Sequence, residues 1–356
     1  MRIGLFHCDL PQRDRKIGGV SVAVHRLANA LAENPEDHIT VFSLDAPPAD
    51  AAYRHVRLFE RWPWLRMSKI ARLLVLPVLL NFVDFGPLDI LHLHGDDWFY
   101  LRRKTGTVRT LHGSALREAQ TSTSWKRRIA QYLIFPLEHL SARLAGTCLA
   151  VGEDAGVLYR ADRIVDNGVD LSRFCPGNKS VAPLILFVGT WRGRKRGEFL
   201  FRAFVNAVLP RLADAELVMV SDHSESASHV TWVKSPDDTA LAVLYRRAWV
   251  FAYPSLYEGF GIPYLEAMAS GTAVLASPNS GARYVLQDGR AGVIADDATF
   301  AQQLVELIVN RPFRQEYERR GLNRAAGFSW DIVAGQHRAI YESMLEQEGK
   351  QTYLSA

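Results

Sequence analysis

Tyr253-Pro-Ser-Leu-Tyr-Glu-Gly-Phe-Gly-Ile-Pro-Tyr-Leu-Glu-Ala-Met-Ala-Ser-Gly-Thr-Ala-Val-Leu-Ala-Ser277 decides the reading of this chain. An apolar strand, Val250–Tyr253, stops at Pro254. A loop with Glu258, Gly259 and Gly261 follows, and Pro263 stands where the first turn of a helix tolerates proline. A second apolar strand, Thr272–Ala276, comes after Ser270-Gly271. Strand, loop, helix and strand in this order make a parallel βαβ unit. Its loop suits phosphate, because the glycines let the backbone approach a ligand closely and the amides at the helix start favour a diphosphate. Glu258 lies before the helix and Glu266 one turn inside it, so both carboxylates can flank one ligand and accept hydrogen bonds from its hydroxyls.

The same alternation runs outward in both directions. Strands are expected at Arg2–Cys8, His38–Leu44, Asp89–His94, Val108–Leu111 and Thr147–Val151, then at Leu184–Val188, Glu216–Val220, Val250–Tyr253, Thr272–Ala276 and Gly292–Ala295. Between the two sets lies Asp166-Asn-Gly-Val-Asp170 through Asn178, with Gly168, Pro176 and Gly177 as turn residues. The expected fold class is α/β with two Rossmann-like domains, residues 1–165 and 181–329, joined by a hinge at 166–180. The helical stretch 330–356 has no strand after it. A chain of 356 residues can bury two cores, and 48% hydrophobic with 22% charged residues fits a globular protein.

Three cysteines, Cys8, Cys148 and Cys175, are far apart and lack metal-ligand spacing, which points to a reducing, cytoplasmic compartment. Met1–Cys8 reads as a first strand rather than a signal peptide. The longest apolar stretch, Ala71–Val83, is broken by Arg72, Pro77 and Asn81 and is shorter than the roughly 20 residues of a membrane span.

The chain resembles glycosyltransferase family 4, whose members are retaining enzymes of the GT-B fold. The Glu-x7-Glu element from Glu258 to Glu266 carries the likeness. It extends to Gly18-Gly19 after the first strand, His112-Gly113, Asn167-Gly-Val-Asp170 and Phe187-Val-Gly189. The resemblance implies two sheets facing across a cleft, with acceptor bound by the first domain and a UDP- or GDP-sugar by the second. It gives Glu258 the donor sugar's hydroxyls and Glu266 the ribose, with Gly259, Phe260, Gly261 and Ile262 meeting sugar and phosphates. It sets Gly18 and Gly19 toward the donor phosphates and His112 beside the reacting sugar. It also implies that residues 330–356 cross back to the first domain.

Thr190-Trp-Arg-Gly-Arg-Lys-Arg-Gly197 places Arg192, Arg194, Lys195 and Arg196 after a strand, where cations can neutralise a departing diphosphate. The family has Arg and Lys where Thr190 and Arg196 stand here, so the choice of clamp is open; Lys195 and Arg196 are the expected pair. Tyr284 stands where an acid is common in the family. No Asp-x-Asp occurs, so neither metal nor other cofactor is expected. His92 and His94, at strand spacing, read as structural.

Between Arg54 and Arg128 fourteen Arg or Lys face six acids. Arg61-Trp-Pro-Trp-Leu-Arg-Met-Ser-Lys-Ile-Ala-Arg72 and Trp125-Lys-Arg-Arg128 join aromatic and basic residues, a combination suited to an anionic membrane surface. The expectation is a cytoplasmic, peripherally bound glycosyltransferase in polysaccharide or glycolipid synthesis, meeting membrane through 61–80 and 125–135. Its partners would be a nucleotide sugar and a carbohydrate or lipid-linked acceptor, without nucleic acid. The alternatives are a GT-B epimerase or phosphorylase and a non-catalytic sugar-nucleotide-binding subunit.

Overall fold

The computed structural model describes residues 1–12, 18–102 and 106–355, the side chains of 348–355 excepted. Ile17 of the glycine loop and Arg103 and Lys104 of the basic segment lie outside the described residues. Two compact units result from the packing. The first comprises Met1–Ala115, Tyr132–Gly168 and Trp330–Ala356, the second Leu116–Gln131 and Val169–Ser329.

Thirteen strands are described: β1 Arg2–Phe6, β2 His38–Ser43, β3 Arg54–Arg57, β4 Ile90–Leu93, β5 Thr107–Leu111, β6 Thr147–Ala150, β7 Arg163–Ile164, β8 Leu184–Val188, β9 Glu216–Val220, β10 Val230–Val233, β11 Val250–Tyr253, β12 Ala273–Ala276 and β13 Val293–Ile294. They form two wholly parallel sheets, β3-β2-β1-β4-β5-β6-β7 and β10-β9-β8-β11-β12-β13. In each sheet the order reverses beside the first strand. Such switch points are where open α/β sheets hold ligands, at the carboxyl ends of the strands.

Helices cover parallel sheets on both faces, so the central strands carry unbroken apolar runs. Leu184, Ile185, Leu186 and Phe187 of β8 are all buried, as are the four residues of β11 and of β12. In the first unit Ile3, Leu5, Val41, Ile90, Val108 and Leu149 pack with Val24, Leu27 and Leu31 of the helix Gly19–Ala32. Val333, Ala334 and Tyr341 of the helix Trp330–Ser355 enter that same core. Arg338 fastens the helix by an ion pair with Asp37, at 2.8 Å, and Asp37 also receives the N-terminal ammonium at 2.8 Å.

The apolar stretch after Arg61 is not one regular helix. It runs through Pro63–Met67, a wide π-turn at Ala71–Val75, Leu76–Leu79 and a tight 3-10 turn at Leu80–Phe82. Pro77 lacks the amide that a regular helix would need there, and wide turns accommodate such a gap.

Candidate active site

The loop between β11 and the helix Ile262–Ala269 is built around a buried carboxylate. Glu258 Oε1 accepts hydrogen bonds from Ser255 Oγ at 2.5 Å, Lys195 Nζ at 2.5 Å and Arg194 Nη1 at 3.0 Å. Arg194 Nη1 also donates to the Tyr257 carbonyl at 2.6 Å, and Lys195 Nζ donates to the Tyr253 hydroxyl. Burial pushes the Glu258 carboxyl up, but the Lys195 and Arg194 charges more than reverse this, leaving it below the usual carboxylate range. Burial lowers the Lys195 ammonium to about 8, although Glu258 opposes the shift. Lys195 and Arg194 both face Glu258, and Glu118 acts on the same two cations from farther away. Fixed cations at the carboxyl end of the sheet are the kind of group that stabilises a phosphate.

Two glycines allow this loop to close. Gly261 has φ +107° at the helix N-cap, and a Cβ there would meet Tyr264 at 2.3 Å. Gly281 donates its amide to the Glu258 carbonyl at 3.0 Å. A Cβ on Gly281 would stand 2.4 Å from the Phe260 carbonyl oxygen and 2.7 Å from that of Glu258. Of the amides in the first turn of the helix Ile262–Ala269, that of Tyr264 donates to the Gly261 carbonyl at 2.9 Å, and Pro263 removes one that would otherwise need a partner. Ile262 heads the helix half-buried, Phe260 is buried, and Gly259 before it is partly exposed.

Glu266 sits half-buried on that helix. Burial raises its carboxyl to about 7, with the Tyr245 hydroxyl opposing and Asp238 adding to the rise. A raised acid stabilises the fold only while protonated. The contribution is complete below the ordinary carboxyl range, near 4.5, and is lost as pH rises through about 7. Glu266→Gln is therefore expected to gain about 1–3 kcal/mol of stability over wild type at pH 8 and almost nothing at pH 4.5. Denaturant melts at the two pH values check this; an equal difference at both would contradict it.

The other expected residues take different places. Arg196 adopts φ +57°, and its guanidinium makes a parallel pair with Asp297 at 2.8 and 2.7 Å over the Phe199 ring. Arg194 rather than Arg196 thus joins Lys195 on Glu258. Arg192 is exposed, 3.7 Å from Glu198. Gly18 is the extended N-cap of the helix Gly19–Ala32, its carbonyl bonded by Ser21 Oγ at 2.8 Å. His112 follows β5, half-buried, with Nε2 2.9 Å from His94 Nδ1. Ser255, Tyr253 and Gly281 are components of the site that the sequence alone does not mark. Ser255 and Tyr253 stood within the decisive stretch, whereas nothing in the sequence aligned Gly281 with Glu258.

A family model described as Glycosyltransferase Family 4 matches residues 17–173, and one described as Glycosyl transferases group 1 matches 182–310. The chain belongs to glycosyltransferase family 4. Like other family members it is a glycosyltransferase of the GT-B fold. It is 28% identical to phosphatidyl-myo-inositol mannosyltransferase of Mycolicibacterium smegmatis, over 97% of this chain and 94% of that protein. It is also 28% identical to D-inositol 3-phosphate glycosyltransferase of Nocardia farcinica, over 64% of this chain and 58% of that protein. Among solved structures, sucrose-phosphate synthase of Thermosynechococcus elongatus superposes with a TM-score of 0.77 at 21% identity, covering 97% of this chain and 99% of that one. HepE of Anabaena, solved with UDP-glucose, gives 0.72 at 13% identity, covering 96% and 100%. Both structural likenesses concern the fold of the family 4 enzyme.

Proposed function

We propose that this family 4 enzyme transfers a hexosyl group, mannosyl in the first instance, from a nucleotide diphosphate sugar to an inositol-containing lipid, with retention of configuration and without a metal ion. The clamp of Lys195 and Arg194 on Glu258 carries the proposal. Fixed cations at the departing diphosphate do the work a divalent ion does elsewhere, and the Glu258 carboxylate receives the sugar's hydroxyls. Ser255, Lys195 and Arg194 all reach the one oxygen Oε1, so the cations are gathered on one side of the carboxylate. Glu266 receives the ribose, and the amides of 259–262 receive phosphate. With no residue argued to be a nucleophile on the sugar, the reaction proceeds as a front-face displacement assisted by the leaving diphosphate.

The lipid acceptor is supported by the name of the mycobacterial relative and by a surface of this chain. Met67, Ile70 and Phe82 are 79%, 71% and 77% exposed, beside exposed Trp62, Trp64 and Leu74. Exposed Arg61 and Lys69 lie in the same stretch. A stretch this apolar and basic suits a membrane interface with anionic headgroups. Trp125, Ile129 and Leu133 are exposed on the helix Trp125–Leu144, which also carries Lys126, Arg127 and Arg128. Among the described residues no helix is long and apolar enough to cross a membrane. The proposal places the enzyme on the cytoplasmic leaflet as a peripheral protein, held there by these apolar and basic surfaces.

Incubation of the enzyme with labelled GDP-mannose or UDP-glucose and phosphatidylinositol vesicles in EDTA tests the reading. The expected product is a glycosylated lipid that keeps the donor's anomeric configuration, formed at a rate within about twofold of that with added magnesium. Free sugar alone, or transfer only with metal, would overturn it. In sedimentation with anionic vesicles, the triple variant Met67→Ser, Ile70→Ser, Phe82→Ser is expected to bind at least about tenfold more weakly. Each side chain withdrawn from the interface forfeits up to about 1.5–3 kcal/mol. Undiminished binding would remove this surface from the proposal.

A further inference from the structure

Five of the eleven histidines, His7, His92, His94, His112 and His337, gather in the first unit. Strand geometry repeats side chains every second residue, which puts His92 and His94 on one face with ring centroids 3.9 Å apart. His92 is fully committed, with Nδ1 2.7 Å from the Tyr341 hydroxyl and Nε2 2.7 Å from Thr110 Oγ1. His94 Nδ1 lies 2.9 Å from His112 Nε2. The outer nitrogens of that pair, His94 Nε2 and His112 Nδ1, are buried without a hydrogen-bond partner.

A neutral imidazole carries one N–H, so only two arrangements satisfy the bond between the rings. If His112 donates, His94 must hold its own N–H at Nε2, in a side chain only 3% exposed and beside a His92 with no nitrogen to spare. A donor so placed stays unsatisfied, and buried orphan N–H groups are the ones folded proteins avoid. If His94 donates, its Nε2 keeps a bare lone pair. The remaining N–H then falls on His112 Nδ1, which also lacks a partner but belongs to a half-buried side chain at the carboxyl end of β5, the more accessible of the two rings.

We infer that His94 is a positioning residue: its Nδ1–H donates to His112 Nε2 and holds His112 as the Nδ1–H tautomer, a hydrogen-bond donor to the reacting group rather than a base. The inference rests on the proposed transferase reading and on the place beside the reacting sugar that the family resemblance gives His112. Burial keeps both rings uncharged at neutral pH. The groups facing them act in the same direction: the Arg109 guanidinium and any charge on His7 or His337 oppose a proton on His112, and any charge on His92, His112, His7 or His337 opposes one on His94. A neutral donor stabilises an oxygen that gains negative charge without bringing a full cation into the first unit.

Long-range 15N NMR of the labelled full chain reads the tautomer without any substrate, with the His112 signals assigned by their loss in His112→Asn. Wild type is expected to show the Nδ1–H form. His94→Leu should convert much of it to Nε2–H, whereas His94→Asn, whose amide can donate from nearly the same place, should retain it. With GDP-mannose and phosphatidylinositol vesicles, His94→Leu is expected to lower kcat about tenfold with donor KM within about twofold, and His94→Asn to recover most of the loss. A merely structural role would depress thermal stability equally in both variants and leave tautomer and kcat per folded enzyme unchanged. An Nε2–H form in wild type, or a tautomer indifferent to His94→Leu, overturns the inference. Wild-type kcat in His112→Asn overturns the proposed place of His112 and the catalytic half of the inference with it, whatever the tautomer.

Discussion

Glu258→Gln lowers transfer by about a thousandfold in a protein that still folds. The substitution keeps the shape of the side chain and the Ser255 and backbone contacts around it, but removes the charge that holds Lys195 and Arg194. It also removes the acceptor that would tighten on the donor sugar as its hydroxyls polarise in the transition state. Breaking a buried ion pair from one side is costly, about 3–5 kcal/mol where no relaxation intervenes. Here Lys195 relaxes by giving up its proton, because its ammonium, already lowered to about 8 by burial, loses the carboxylate that supported it. A lysine with a depressed folded value binds fewer protons folded than unfolded, so the variant should regain stability as pH rises from 7 to 9. Transfer per folded enzyme within tenfold of wild type, or stability of the variant flat over that interval, would contradict the clamp.

Gly281→Ala costs about 3 kcal/mol of stability and at least about a hundredfold in transfer. The added methyl would meet two backbone carbonyl oxygens, those of Phe260 and Glu258, at 2.4 and 2.7 Å, and backbone cannot swing aside as a side chain can. Relief requires the Glu258 loop to move away from the helix Ser280–Val285, which carries the hydroxyl and amide bonded to the Glu258 carbonyl. Ser280→Ala removes only a 3.3 Å hydrogen bond from that carbonyl and should cost less than about 1 kcal/mol, which makes it the control. Denaturant melts and initial rates on the two variants decide the matter; comparable losses in both would show that the hydroxyl and not the close approach of Gly281 holds the loop.

The strands legible in the sequence were those buried on both faces. Leu184–Val188, Val250–Tyr253 and Ala273–Ala276 announce themselves as apolar runs because helices cover them on either side. The three strands the sequence did not reveal, Arg54–Arg57, Arg163–Ile164 and Val230–Val233, all lie at sheet edges and expose much of their length. An edge strand is recognised by its backbone pairing, and its composition is free to follow solvent. Val293–Ile294, also an edge, was legible because it is flanked by buried residues.

Within the site, the paired glutamates and the basic loop were visible as residue types in order along the chain. The direction of each side chain was not. Gly193 at φ +83° and Arg196 at φ +57° fold the loop so that Arg194 and Lys195 turn to Glu258 while Arg196 turns to Asp297. Nothing in Arg-Gly-Arg-Lys-Arg distinguishes these outcomes. His94 was read as structural because its spacing with His92 is all the sequence gives. Its meeting with His112 depends on the parallel pairing of β4 with β5, which places residues from separate stretches side by side.

Calorimetric titration in EDTA with GDP-mannose and UDP-glucose, wild type beside Glu266→Ala, tests the donor site most directly. One of the two nucleotide sugars should bind wild type at a single site, and Glu266→Ala should weaken that binding at least about tenfold by removing the acceptor for the ribose hydroxyls. Absence of binding by folded wild type to either sugar, or equal binding by the variant, would contradict a donor site built on Glu258 through Glu266.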